Sequence, residues 1–217
     1  MKILVLNGVN LNMLGKRSAA HYGTFTLAEL NKKGLKAVII DVRNNPGGLL
    51  ESAIDVTSRF LETDRTVVST KSRTEKENVY KSVALREKYS NLPIAVLINK
   101  GSASASEILA AALRDNKKAV IMGEASFGKG SVQTIIPLSD GSALRLTTSR
   151  YYTPSGASIH EKGVTPDIVI ANGAGTDEKE DVFEKLEKTP EFDYKKDYSI
   201  VRAADFLKGM LVFSSTK

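Results

Sequence analysis

Three short, continuously apolar runs constrain this chain more than anything else in it. They are KAVIIDV at 36–42, IAVLIN at 94–99 and AVIM at 119–122. Each is rich in β-branched and aliphatic residues and does not alternate with polar ones, the pattern of a strand covered on both faces. The stretches between them have helical spacing. Leu50, Ile54, Val56, Phe60 and Leu61 recur along 49–61, and 104–114 is rich in alanine. Strand and helix alternate through the first two-thirds of the chain, which predicts an α/β core with a parallel-rich sheet and flanking helices. Further strands are expected at 2–7, 67–70 and 168–170. A short helix is expected at 26–33, ended by Gly34, and a hairpin at 131–138 and 143–152 around Ser139-Asp140-Gly141. The polar and charged stretch 72–91 reads as a surface excursion. Residues 173–196 turn acidic and then basic around Thr189-Pro190 and read as a linker with a short helix. An amphipathic helix at 201–213 is expected to dock on the body as a C-terminal helical tail.

Composition narrows the chemistry. The 217 residues suffice for one sizeable core or two small ones. The chain has no cysteine, so disulfides and thiolate metal sites are excluded. Its two histidines, His21 and His160, are too few for a histidine-rich metal site. The net charge of +6 comes from 31 basic and 25 acidic residues that are interspersed, with no basic stripe carrying aromatics, so nucleic acid is not an expected partner. The longest apolar run near the start, 3–6, is too short for a signal peptide or a membrane span, and the chain as written carries no export signal. No cofactor and no metal are expected.

Two segments carry chemistry. In Asn99 to Glu107, NKGSASASE, a buried strand runs through small residues straight into a helix. A serine in the first turn of that helix sits where unpaired backbone N–H groups converge, which suits an oxyanion forming beside it. The same residues fit a capping box, with Ser104 and Glu107 satisfying the helix's orphan donors. The second segment, GEASFGKGSVQ at 123–133, nearly matches a phosphate-binding loop through Gly123, Gly128 and Lys129. It fails where Gly130 replaces the Ser or Thr that would hold magnesium, and where a strand rather than a helix follows. What remains is Lys129 clamped between two glycines in a turn. Such a lysine is either an ordinary surface residue or, if held against apolar surface, a base with a lowered pKa. Ser104 and Lys129 lie 25 positions apart, with one helix and one strand between them, which permits a Ser-Lys pair without requiring one.

Taken with their neighbours, these residues resemble the carboxyl-terminal processing, or tail-specific, serine proteases. The resemblance rests on Ala103-Ser104-Ala105-Ser106-Glu107 and on Phe127-Gly128-Lys129-Gly130-Ser131-Val132-Gln133. It extends to Asp41-Val42-Arg43-Asn44-Asn45-Pro46-Gly47-Gly48, Thr153 to Gly156 and Gly163 to Asp167, and covers about 35–170. It implies a Clp protease/crotonase-like α/β core and a polypeptide substrate cleaved near its C-terminus through an acyl-enzyme. Ser104 would be the nucleophile and Lys129 the general base, with Gln133 assisting the lysine. The N–H groups of Ala105 and of Gly48, or alternatively Gly47, would form the oxyanion hole. Ser102 and Ser106 are alternatives by residue type, but the family spacing selects Ser104. The resemblance assigns no metal, leaves the oligomeric state open and suggests periplasm, cell envelope or thylakoid lumen. Asp41 and Arg43, at a strand end, are expected to form a structural ion pair, and His160 to be a surface or loop-packing residue.

The first 27 residues resemble a different family, the type II 3-dehydroquinate dehydratases, through Leu4 to Arg17 and Tyr22-Gly23. That likeness would place Asn12, Arg17 and Tyr22 at an active site, although Val9 stands where that family usually has proline and its His-bearing strand motif is absent. The chain therefore reads as a mosaic. Residues 1–27 form a dehydroquinase-like strand and loop, 28–172 a protease core and 173–217 a linker and helix, without the PDZ domain usual in the protease family. The expected activity is that of a serine endopeptidase. The alternatives are a non-catalytic protease-core scaffold and, more weakly, a dehydratase-like enzyme.

Overall fold

The computed structural model describes residues 2–7, 32, 34–72, 76–170 and 194–214. Its centre is a five-stranded parallel sheet. The strands are β1 (Ile3–Asn7), β2 (Ala37–Asp41), β5 (Ile94–Ile98), β6 (Ala119–Gly123) and β9 (Ile168–Val169), in the spatial order β1-β2-β5-β6-β9. The register runs Ile3 to Ala37, Val38 to Ile94 and Ile94 to Ala119. Every residue of β2 and β5 is buried, because both faces of the sheet are covered.

One face packs on α1 (Leu50–Ser58) and α2 (Ala105–Asp115), with Val38, Ile40, Val96 and Ile98 meeting Val56, Phe60, Ile108 and Leu113 in a common core. The other face is closed by α3 (Tyr198–Ser214), whose Ile200, Ala203 and Leu207 pack on Ala37, Ile39, Ala95 and Leu97. The uniformly apolar strands 36–42 and 94–99 thus record two layers of helices.

A second, antiparallel sheet has the order β4-β3-β8-β7, formed by β3 (Thr66–Lys71), β4 (Asn78–Lys81), β7 (Ser131–Pro137) and β8 (Ala143–Tyr152). The expected elements at 49–61, 94–99, 104–114, 119–122 and 131–152 are present with shifts of a few residues. β4 was not expected. It lies within the charged stretch 72–91 and is held by pairing with β3, a long-range partner that local composition does not announce. The expected helix at 26–33 and linker at 173–196 fall largely outside the described residues, as do Asn12, Arg17 and Tyr22. Among the described residues, no helix is long and apolar enough to cross a membrane.

Candidate functional site

Strands β2, β5 and β6 are parallel neighbours, so the loops leaving their carboxyl ends converge on one edge of the sheet. In open parallel sheets this is the edge where sites are built. The loop after β2 carries Asn44 to Gly48, the loop after β5 leads into Ser104, and the loop after β6 carries Lys129.

Hydrogen bonds stitch the first two loops together. The N–H of Ala103 donates to the carbonyl of Asn45 at 3.0 Å. The Asn99 side chain accepts from the N–H groups of Asn44 at 2.8 Å and Gly101 at 3.0 Å, and donates to the Asn44 side chain at 2.9 Å. Gly47 sits directly on the serine turn. A Cβ there would lie 2.6 Å from the Ala103 carbonyl oxygen and 2.7 Å from the Ala105 nitrogen, and its φ is +95°.

Ser104 precedes α2 with φ +56° and ψ −119°. An N-cap serine normally adopts extended backbone, whereas this conformation is strained for a residue with a side chain. It turns the residue sharply between strand and helix, a geometry shared with the nucleophile elbow of α/β hydrolases. The expected capping box is present: the Ser104 N–H donates to Glu107 Oε2 at 2.8 Å, and the Ser104 side chain faces the Glu107 N–H, which donates to the Ser104 carbonyl at 2.9 Å. The neighbouring Ser102 is buried and committed, its hydroxyl donating to the Val42 carbonyl at 2.7 Å and accepting from the Asn99 N–H at 3.0 Å. Ser106 is buried as well.

Among the described residues, the N–H groups of Gly48 and Ala105 have no hydrogen-bond partner. The Gly47 N–H is taken by the Asn45 side chain at 3.0 Å, which leaves Gly48 as the free donor of the pair. Gly48 and Ala105 line a small cavity of about 40 Å³ whose other walls include Val42, Leu49, Ala53, Val56 and Leu109.

Glu107, read from the sequence only as a cap, holds the site's loops together. Its side chain is fully buried. Oε1 accepts from the Gly128 N–H at 2.7 Å and the Ser126 hydroxyl at 2.6 Å, while Oε2 accepts from the N–H groups of Ser104 at 2.8 Å and Lys129 at 2.9 Å. One carboxylate therefore ties the backbone of Ser104 to that of Lys129. A buried carboxylate is tolerated when its lone pairs are filled in this way. The sequence held a signal for it, a glutamate one turn into an otherwise apolar helix.

The Lys129 side chain is exposed, as in the surface reading of the two its sequence left open; the Glu107 bond draws in its backbone and leaves the side chain in an open cleft. The cleft measures about 750 Å³ and is lined by Pro46, Ala103, Phe127, Lys129, Ser131 and His160 among others. Among the described residues, the Lys129 amine has no hydrogen-bond partner. Gln133 is exposed on β7, next to a bulge between Val132 and Gln133 that re-aims the strand. His160 forms part of the cleft wall, which the sequence did not reveal.

Asp41 and Arg43 form the expected ion pair, at 2.7 Å, with a third member, Asp197, at 2.8 Å from the same guanidinium. Burial pulls the Arg43 pKa down, but the hydrogen bonds and charges of both carboxylates outweigh it and hold the guanidinium above its ordinary value. Burial would raise Asp197, yet Arg43 and the N–H groups of Ile200 and Ser199 keep it below the usual carboxylate range. Through Asp197, which accepts the Ile200 N–H at 3.0 Å at the start of α3, the C-terminal helix is tied to the loop that carries Gly47 and Gly48.

A serine at a strained strand-to-helix turn, beside free backbone donors at the carboxyl edge of a parallel sheet, is the arrangement of an α/β hydrolytic core. The chain belongs to peptidase family S41, whose family model matches residues 12–170. It is 55% identical over 136 residues to a carboxy-terminal-processing protease of Bartonella bacilliformis, covering 63% of this chain and 31% of that protein. It is 36% identical over 170 residues to a probable CtpA-like serine protease of Staphylococcus haemolyticus, covering 78% and 33%. Among solved structures, the photosystem II D1 C-terminal processing protease superposes with a TM-score of 0.61 at 39% identity, over 65% of this chain and 36% of that one. The chain thus spans about a third of the length of the curated relatives it matches.

Proposed function

We propose that this chain is the catalytic core of a serine endopeptidase that hydrolyses polypeptides, near their carboxyl termini, through an acyl-enzyme. The observation that carries this reading is the Ser104 turn, a strained backbone that sets the serine beside the free N–H groups of Gly48 and Ala105.

In the proposed sequence the scissile carbonyl enters with its oxygen toward Gly48 and Ala105. The Ser104 hydroxyl attacks the carbonyl carbon as Lys129, neutral, takes its proton. The tetrahedral oxyanion is held by the two N–H groups, and the loss of one such donor costs about 10²–10³ in rate. Collapse breaks the C–N bond, and Lys129 returns the proton to the departing amine, which leaves an ester on Ser104. Water, deprotonated by the again neutral Lys129, then attacks the ester; the carbonyl–Oγ bond breaks, Lys129 returns the proton to Ser104 Oγ and the carboxylic product leaves. Gln133, beside the β-bulge, assists the lysine. Bonds of this kind are often formed only in the substrate complex.

The exposure of Lys129 is also what favours a second reading, a folded protease core that does not turn over. Degradation of casein by the wild type, Ser104→Ala and Lys129→Ala separates the two. Activity in the wild type with equal loss in both variants supports the pair. Retained activity in Lys129→Ala rejects the lysine as base, and an inert wild type supports the scaffold.

A further inference from the structure

Among the described residues, His160 Nδ1 is the only buried side-chain nitrogen or oxygen without a hydrogen-bond partner. Its other nitrogen, Nε2, lies 3.7 Å from Oε1 of Glu161. That is too long for a hydrogen bond. In the tautomer with the ring proton on Nε2, Nδ1 has an unused lone pair.

The ring lies beside the proposed chemistry. It lines the same cleft as Lys129, Phe127 and Ala103, and its main chain buttresses the lysine from both sides. Gly130 packs so closely on His160 that a Cβ would collide with the His160 nitrogen and Cα. The Glu161 N–H donates to the Gly128 carbonyl at 2.9 Å. The part of a substrate that occupies this cleft follows from the direction of proton transfer. In the proposed mechanism the departing amine takes its proton from Lys129, so the segment on the carboxyl side of the scissile bond would lie on the Lys129 side of Ser104, with the carbonyl oxygen toward Gly48 and Ala105.

Resting on the protease reading, we propose that His160 is a specificity-determining residue for that leaving segment. Its Nδ1 accepts a hydrogen bond from a donor side chain, a hydroxyl or amide, on the first or second residue after the scissile bond. The imidazole is 27% exposed, and its χ2 rotation is broad and roughly two-fold, so Nδ1 turns toward the cleft without backbone movement. A site with a polar atom in reserve discriminates against substrates that lack the matching group, because that atom then stays unpaired.

The test compares kcat/KM for peptides carrying Ser or Ala at each of those two positions. The wild type is expected to favour Ser by about tenfold at one of them. His160→Leu, which removes the acceptor, brings the ratio to one. His160→Asn, whose Oδ1 falls near the place of Nδ1, preserves it. A wild-type ratio of one at both positions, or a preference that survives in His160→Leu, overturns the proposal. A second readout needs no turnover. In a ¹⁵N-histidine-labelled Ser104→Ala variant, with His21→Gln for assignment, the Ser-containing peptide is expected to move the His160 Nδ1 resonance upfield. A resonance unmoved throughout a peptide titration overturns the proposal. An inert wild type with a moving resonance would remove the protease reading and leave His160 as a peptide-binding residue; an active wild type with a ratio of one would do the reverse.

Discussion

Replacing Glu107 tests the architecture of the site most directly. Its carboxylate fills four donors, the N–H groups of Ser104, Gly128 and Lys129 and the hydroxyl of Ser126. Each buried donor left empty costs about 1–3 kcal/mol. Glu107→Ala empties all four at once, a cost of about 4 kcal/mol or more against a typical total stability of about 5–15 kcal/mol, so that variant is expected to be marginal or unfolded. Glu107→Gln is the informative change. With its oxygen toward Ser104 and Lys129, its amide donates to the Ser126 hydroxyl, the half-buried Ser126 O–H turns to solvent, and the Gly128 N–H goes unmet. The expected loss is therefore about 1–3 kcal/mol in urea unfolding.

If Glu107 serves to position the Ser104 and Lys129 loops, kcat for a fluorogenic peptide falls by about 10²-fold, the scale set by displacements near 1 Å, while KM changes little. Glu107 touches no substrate in this account; it is a positioning residue. A Gln variant with wild-type urea midpoint and wild-type kcat would refute the account of Glu107 as the tie between the loops. Lost stability with unchanged kcat would leave it a purely structural carboxylate.

Three further outcomes are expected. Gly47→Ala places a Cβ 2.6 Å from the Ala103 carbonyl oxygen at a φ of +95°; the strain and overlap should cost about 2–5 kcal/mol in denaturant unfolding, and a wild-type midpoint would contradict the close approach. Because Asp197 is held below the usual carboxylate range in the folded state, its contribution is fully present above its unfolded pKa, near 3.9, and is lost as pH falls through the folded value. The stability gap between wild type and Asp197→Asn should accordingly narrow below about pH 4 in pH-resolved thermal melts, and a gap that widens on acidification would reverse the assignment. Finally, the small cavity beside Gly48 and Ala105 should make a peptide with alanine on the acyl side of the scissile bond turn over faster than one with phenylalanine; the opposite order in kcat/KM would place the acyl-side residue elsewhere.

Much of this was legible in the residues, and for a local reason. An apolar run such as 94–99 forms a doubly covered strand in any context that buries it, and Asn-Asn-Pro-Gly-Gly makes a turn wherever it falls. The motifs around Ser104 and Lys129 carried the family, because they are contiguous in sequence. The exposure of Lys129, the place of His160 and the strand β4 depended on contacts between distant segments. Asp197 is an ordinary aspartate until α3 folds back across the sheet and brings it to Arg43. Glu107 reads as a helix cap until the Gly128 and Lys129 N–H groups arrive from the loop after β6.

The sequence by itself determined the alternation of strands and helices, the serine turn and the residue types available for chemistry, since each depends on neighbours within a few positions. Only the tertiary structure decided the strand order β1-β2-β5-β6-β9 and, with it, which loops meet. Short-range propensity is indifferent to which strand lies beside which, whereas the convergence of the loops after β5 and β6 on one carboxylate depends on that order.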